Sequence, residues 1–340
     1  MFIKNLPGFY LGLHDDPEAY ARWCFVTATN AFASFQATGN AEDISDIIYN
    51  VDPFDTPGLS KTPEAEATNT THQWQTDGYA TAVSSNQSIE GEDATADAST
   101  ATTLVTNACE IPIKVPRVTT TQQAIKHYGR DDEMAYQIEK RAVEMKRDME
   151  TSIWANKAKV VTRTTSVAGV LGGLPTYVNT NTSRAGDGVN GSGAGVAVRT
   201  DGTARPLTED LVQDMLQLVW QAGGNPDAIY LGGYNKRRFS TFAGNATRMK
   251  TAEDRKLMAA IDIYESDWGE MELIPDRFMR TRDLFAVQTD MLGIAYLISF
   301  TIADLSRTGL SERKQLYAEF TLEVRNEKSL GAVYDLTASN

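Results

Sequence analysis

The sequence is poor in the residues that most chemistry needs. Two cysteines, Cys24 and Cys109, in 340 residues exclude a disulfide framework and a multi-cysteine zinc site. Both are expected to behave as small buried hydrophobes in a reducing compartment. Three histidines, His14, His72 and His127, stand far apart, and none has ligand spacing to another His or Cys. No stretch approaches the roughly 20 apolar residues that a membrane helix needs; the longest patch, residues 292–300, is too short. The N-terminal residues carry Lys4 but no apolar run ending in a small-residue cleavage site, so no signal peptide is expected. Basic residues are nearly missing from the first third. Residues 1–110 hold sixteen Asp and Glu against Lys4, Arg22 and Lys61, which accounts for the whole net charge of −13. Such a region is repelled by nucleic acid and suits a water-facing or basic-partner-facing surface.

What is present is an ordinary globular composition, 41% hydrophobic and 23% charged, long enough for one large or two moderate domains. Asp15 or Asp16 with Pro17 predicts a helix over residues 18–35, with Tyr20, Trp23, Cys24, Phe32 and Phe35 on one side and Gly39 after its end. Ile44, Ile47 and Ile48 form a short amphipathic stretch. Pro53, Pro57 and Pro63 then forbid a helix and predict an extended arm that must lie on something. From Glu64 to Glu110 there are eight acidic residues and no Lys or Arg, in a segment rich in Thr, Ala and Ser. Alternation predicts hairpin strands over residues 79–83 and 104–118. Ile111 to Pro116 fits an edge strand, where proline loses no ladder bond. With so little apolar content such a hairpin projects or lies across a neighbour.

The clearest periodic signal follows. Met134, Ile138, Ala142, Met145, Met149 and Ile153 make one apolar stripe on a helix over residues 131–157, with Asp131, Asp132 and Glu133 at its start. Glu139, Lys140, Arg141, Glu144, Lys146, Arg147, Asp148 and Glu150 are assigned to the other faces. Its mixed charge reads as a solvated face or as salt bridges between subunits. Nine glycines make residues 169–205 loop-like. Beyond them come a helix over 207–222 with Thr208 as cap and Gly223–Gly224 as stop, a strand over 228–231 and a helix from Asn235. Strands follow over 271–274, 284–288 and 294–300, and alternating stretches over 315–336.

No motif carries chemistry in this frame. Gly186, Gly188 and Gly191 match G-x-G-x-x-G, but polar turn-forming residues precede them and more glycine follows, which reads as a flexible surface loop. The acidic pairs at Asp15 and Asp131 read as helix caps, and His127 as a surface or interface residue. No nucleophile, base and orienting group converge. No catalytic, cofactor-binding or metal-binding residue is assigned, and no cofactor is expected.

The order of segments is more telling: acidic N-terminal region, proline-broken arm, acidic hairpin, long helix, glycine loop, α/β module, long returning strand. That order resembles the Hong Kong 97-type fold of tailed-bacteriophage major capsid proteins. Local sequence is similar to one family of them, the SU-ten-like capsid proteins. The similarity lies in residues 42–48 with Pro53 to Pro57, in His72 to Asp77 with Glu90 and Gly91, and in Gln137 through Arg147 to Glu150. It continues in Leu273 to Met279 and Glu319 to Asn326. It covers about residues 42–336 and leaves 1–40 outside.

The resemblance implies an α+β fold with an N-terminal region and arm over 1–63, an extended E-loop hairpin over 64–118 and a peripheral domain with a spine helix over 119–168. A glycine-rich loop over 169–205, a mainly axial domain over 206–310 and a returning peripheral strand over 311–340 complete it. It implies a structural virion protein, not an enzyme, assembled in the bacterial host cytoplasm as hexamers and pentamers into an icosahedral or prolate shell around double-stranded DNA. Expected partners are further copies of the chain, a separate scaffolding protein, portal and decoration proteins, and the packaged DNA by weak non-specific contact; no membrane is involved. The alternative is another phage component, such as a tail or decoration protein.

Overall fold

A computed structural model describes residues 52–93, 98–242 and 262–338 of the chain. The expected helix over 18–35 and the stretch 44–48 lie outside these residues. All described elements belong to the unit Tyr49–Asn340. In chain order they are α1 (Pro57–Lys61), β1 (Glu64–Glu66), β2 (Thr71–Thr76), β3 (Thr103–Ala108), β4 (Ile113–Lys114), β5 (Arg117–Thr119), α2 (Thr120–Ala124) and α3 (Glu133–Trp154). Then come β6 (Thr182–Ser183), α4 (Glu209–Ala222), β7 (Ala228–Leu231), α5 (Gly233–Phe239), β8 (Ile263–Ser266), β9 (Gly269–Pro275) and β10 (Leu284–Val287). The last are β11 (Leu292–Asp304), β12 (Ser311–Val324) and β13 (Gly331–Val333).

These strands build two larger sheets and a two-stranded hairpin. One sheet runs β1-β11-β12-β4, with β5 continuing beside β12. Its backbone is the long antiparallel ribbon of β11 and β12, 13 and 14 residues. The other is a mixed sheet in the order β6-β13-β10-β7-β9-β8. The two-residue period of its strands divides the interior. Ala228, Tyr230, Phe285, Val287 and Ala332 face a core shared with α3 and the ribbon. Ile229, Leu231, Leu284, Ala286 and Val333 face a second core under α4 and α5. Strands buried on both faces read as unbroken apolar runs, which is why Ala-Ile-Tyr-Leu and Leu-Phe-Ala-Val stand out in the sequence.

Helix α3 forms as its stripe predicts. The Asp132 carboxylate accepts from the Met134 and Ala135 amides and caps it, and 22 residues give a rod of about 33 Å. Met134, Met145, Met149 and Ile153 are buried, and Trp154 stacks on Tyr230 and Phe285 with centroids 5.0 and 5.7 Å apart. Helix α4 ends at Gly223, whose φ of 92° is the left-handed conformation that glycine adopts without strain. The helix lies so close to β13 that a Cβ on Gly331 would meet the Met215 sulfur at 2.2 Å.

Three expectations are corrected. Pro57 does not exclude a helix. It occupies the first turn of α1, where a missing amide proton is unused and φ is already suitable. The hairpin strand preceding β3 is Thr71–Thr76, not residues 79–83, and the expected run 104–118 divides into β3, β4 and β5. Glu150 is not on a solvated face of α3; it is fully buried.

Candidate assembly surfaces

The hairpin is anchored at its base. β2 and β3 pair in register from Thr71 with Ala108 to Thr76 with Thr103. Only Trp74 and the last residues of β3 enter the core, and Trp74 packs on Tyr177 at 6.2 Å. Asn107 fastens the base. Its amide nitrogen donates to the Leu322 carbonyl (2.8 Å) and the Gly172 carbonyl (3.3 Å), and its oxygen accepts from the Gly172 and Ala108 amides. The Thr106 carbonyl accepts from the Tyr177 hydroxyl (3.0 Å) and the Lys159 ammonium (2.6 Å). Burial holds the Lys159 pKa below its usual value and pushes the Tyr177 hydroxyl further up.

Beyond Thr76 and Thr103 the segment leaves the body. Every described residue from Asp77 to Thr102 is exposed, including Tyr79, Val83 and Ile89 at 106%, 70% and 77%. Asp77, Glu90, Glu92 and Asp93 give it acid without any Lys or Arg. It has apolar side chains and no core of its own. A second exposed apolar set lies at the far end of the ribbon: Ile298, Phe300, Ile302 and Leu310. Ile113 and Val115, of β4 and its continuation, are exposed beside it, and Lys114 bridges from there to Asp148 of α3 at 2.6 Å.

The arm is tied to α3 by Glu150. Its Oε1 accepts from the Gly58 amide (2.7 Å) and the Trp154 indole (3.0 Å), and its Oε2 from the Leu59 amide (2.8 Å). A Cβ at Gly58 would stand 2.5 Å from that carboxylate, so the position requires glycine. Burial, and after it the neighbouring Asp276 carboxyl, pushes the Glu150 carboxyl up to about 8.

The glycine segment is not the flexible surface loop that its composition suggests. Leu171, Leu174, Tyr177, Val178 and Arg199 are buried. Arg199 donates to Asp335 (2.8 Å) and to Asp201, and its guanidinium lies 4.1 Å from the Tyr334 ring centroid. Arg280 bridges Asp283 (2.9 Å) and Asp201 (2.6 Å). Asp335, in left-handed backbone at φ 63°, also accepts from the Ala185 and Gly202 amides. Gly186 to Gly191 is thereby held beside the end of β13, and Asp187 accepts from Thr203. Burial raises the Asp283 carboxyl to about 6 against the pull of Arg280 and Arg199. Burial also opposes ionisation of Asp335, but Arg199 and the two amides outweigh it and hold its pKa low.

The remaining singled-out residues do not converge. His72 lies 3.4 Å from Glu323, and His127 is bonded to Gln122. Cys109 is buried, and burial raises its thiol to about 11, so it packs as a small hydrophobe. His14 and Cys24 lie outside the described residues. Sequence reasoning missed Glu150, Asp283, Arg199 and Asp335. The one local hint was for Glu150, which sits a helical turn before Trp154.

A long helix against a ribbon, a mixed sheet module and an anchored hairpin with an exposed tip define a class of shell-building subunit. The same arrangement recurs in a chain of the Cyanophage A-1(L) capsid asymmetric unit (TM-score 0.64, 12% identity, 90% of this chain and 98% of that one). It recurs in the capsid of a native GTA particle (0.58, 12%, 89% and 98%) and in the SrpI encapsulin of Synechococcus elongatus PCC 7942 (0.53, 11%, 88% and 94%). At such identity the likeness shows the fold, which is the Hong Kong 97-type capsid fold. Residues 27–337 match the family model of the SU10 major capsid protein, and the chain belongs to that family. Over 128 residues it is 33% identical to the major capsid protein of Escherichia phage Phieco32; the match covers 38% of this chain and 36% of that protein's length. The family match reaches further towards the N-terminus than the 42–336 resemblance, and it sets aside the tail and decoration alternatives.

Proposed function

We propose that the chain is the repeating subunit of a closed phage head, assembling as hexamers and pentamers around double-stranded DNA in the bacterial host cytoplasm. The observation that supports this best is the exposed segment between Asp77 and Thr102. It is firmly anchored at its base, carries apolar side chains and has no core to bury them. A neighbouring copy supplies that core. In this reading residues 64–118 are the loop draped on the neighbour, α3 and the ribbon form the peripheral part, and the mixed sheet with α4 and α5 is the axial part near the symmetry axes. Stable interfaces bury about 1,600 Å², and many such contacts closing on themselves multiply weak individual affinities. With a net charge of −13, contact with DNA is weak and non-specific. Scaffolding, portal and decoration proteins complete the set of partners.

The hairpin register supplies a clean test. Since Thr76 faces Thr103, residues 77–102 can be replaced by Asn-Gly as a two-residue turn. Negative-stain electron microscopy with light scattering should show shells or discrete hexamers and pentamers for the full chain, with a scaffold partner supplied if required. The shortened chain should fold but close no shell. A full chain that stays monomeric at every concentration and salt, with scaffold present, overturns the reading.

A further inference from the structure

Asn190 and Gly191 are the only Asn-Gly pair in the sequence, and they lie in the Gly186–Gly191 run that no function has absorbed. In an open chain this dipeptide loses its side-chain amide readily, because glycine leaves its own backbone nitrogen unshielded. Here the glycine is demanded by packing. A Cβ at Gly191 would stand 2.9 Å from the Thr176 Cα and 3.1 Å from the Pro175 carbonyl oxygen. The labile pair is therefore built into the interior and not left on a loop tip.

The same packing restrains it. Asn190 Nδ2 donates to the Asn179 carbonyl (2.8 Å) and to the Thr182 hydroxyl (2.7 Å), which tie the side chain to the start of β6. Asn190 Oδ1 is buried and has no donor among the described residues. Deamidation begins when the Gly191 nitrogen gives up its proton to hydroxide and bonds to Asn190 Cγ. Negative charge gathers on Oδ1. The Cγ–Nδ2 bond then breaks, and ammonia leaves with a proton taken from water. Water opens the resulting cyclic imide at either carbonyl, giving aspartate or its β-linked isomer. In an open chain water donates to Oδ1 during the attack. In the fold that oxygen has no donor, and one such donor is worth about 10²–10³ in rate. The side chain must also turn out of its two hydrogen bonds.

We propose that Asn190 is a deamidation site masked by the fold and opened only when residues 176–202 come apart, and that the change is one-way. A carboxylate at position 190 has no N–H for the Asn179 carbonyl and sets two acceptors face to face. The β-linked isomer also inserts a backbone carbon between the Val189–Thr200 bridge and the packed Gly191. A converted chain therefore keeps a permanent mark of the time it spent open. This chemistry belongs to the subunit and does not depend on whether it builds a shell.

The full chain is held in mildly alkaline buffer, native in one sample and unfolded by guanidinium chloride in another. Trypsin then releases residues 185–199, between Arg184 and Arg199, and mass spectrometry reads the amide-to-acid conversion in that peptide. The unfolded chain should convert about a hundredfold faster than the native one, and a difference of less than about tenfold overturns the mask. Asn190→Asp should lose hydrogen-exchange protection over residues 185–199 while a β12 peptide keeps its own; unchanged protection over 185–199 overturns the one-way step. If Asn190→Asp does not fold, the full chain is partly converted in guanidinium chloride and returned to native buffer. The converted peptide should then concentrate in the fraction that fails to refold, and equal proportions in both fractions overturn the proposal.

Discussion

Arg199 is fully enclosed, yet it meets three carboxylates, Asp201 two residues on and Asp283 and Asp335 from distant parts of the chain. Removing the cation while leaving the acids buried costs about 3–5 kcal/mol. Arg199→Leu is therefore expected to lower the urea midpoint of the Asn-Gly-shortened subunit sharply. Arg307→Ala, which removes an exposed pair with Glu312, should change it by under about 1 kcal/mol. Asp283 gives the cluster a pH signature. Its carboxyl is raised from 3.8 to about 6 in the fold, so its contribution is fully present below about pH 4 and is lost as pH rises through 6. The stability advantage of the native chain over Asp283→Asn should accordingly shrink between pH 4.5 and pH 7. None of this was legible in the sequence. Asp335 and Arg199 lie 136 positions apart, and the only local sign, a run of glycines, pointed towards flexibility. What the glycines supply is close approach: a Cβ at Gly188 would stand 2.7 Å from the Asp335 carboxylate.

Among the elements, legibility followed burial. The α3 stripe, the Thr208 and Gly223 boundaries of α4 and the apolar runs of β7 and β10 were readable because each buries most of a face or both faces. β2 was not. Thr-His-Gln-Trp-Gln-Thr puts only Trp74 in the core, and its strand is set by pairing with β3. Residues 79–83 alternate suitably but have no partner strand among the described residues. Glu150 escaped for the opposite reason, since a single polar residue among charged neighbours carries no mark of the α1 amides it will meet. The anchor of the hairpin gives a prediction at this scale. Asn107→Leu fills the space but leaves the Leu322 carbonyl and the Gly172 amide short of partners, at about 1–3 kcal/mol for each unpaired group. Urea denaturation should register this loss, and exchange protection of β3 should fall more than that of β12. The same geometry says where to cut. Deleting residues 64–110 would remove Trp74, Asn107, Ala108 and Cys109 from the interior, whereas a cut at 77–102 spares them.

For the whole molecule, membership of a capsid protein family means that each subunit sits beside further copies of itself. Assembled particles should melt above isolated subunits in calorimetry, with the gap narrowing on dilution into free subunits, because association stabilises the folded state by mass action. The order of strands in the mixed sheet sets a clock as well. β13, residues 331–333, lies between β6 and β10; its pairing with β10 joins Leu284 to Val333. About a hundred residues separate β7 from β13, roughly 5–20 s of ribosome travel. During that interval α4 and the emerging strands wait beside a vacant slot. The mixed sheet closes only once residue 333 is free of the ribosome, so the surface that α4 and this sheet present is complete only then.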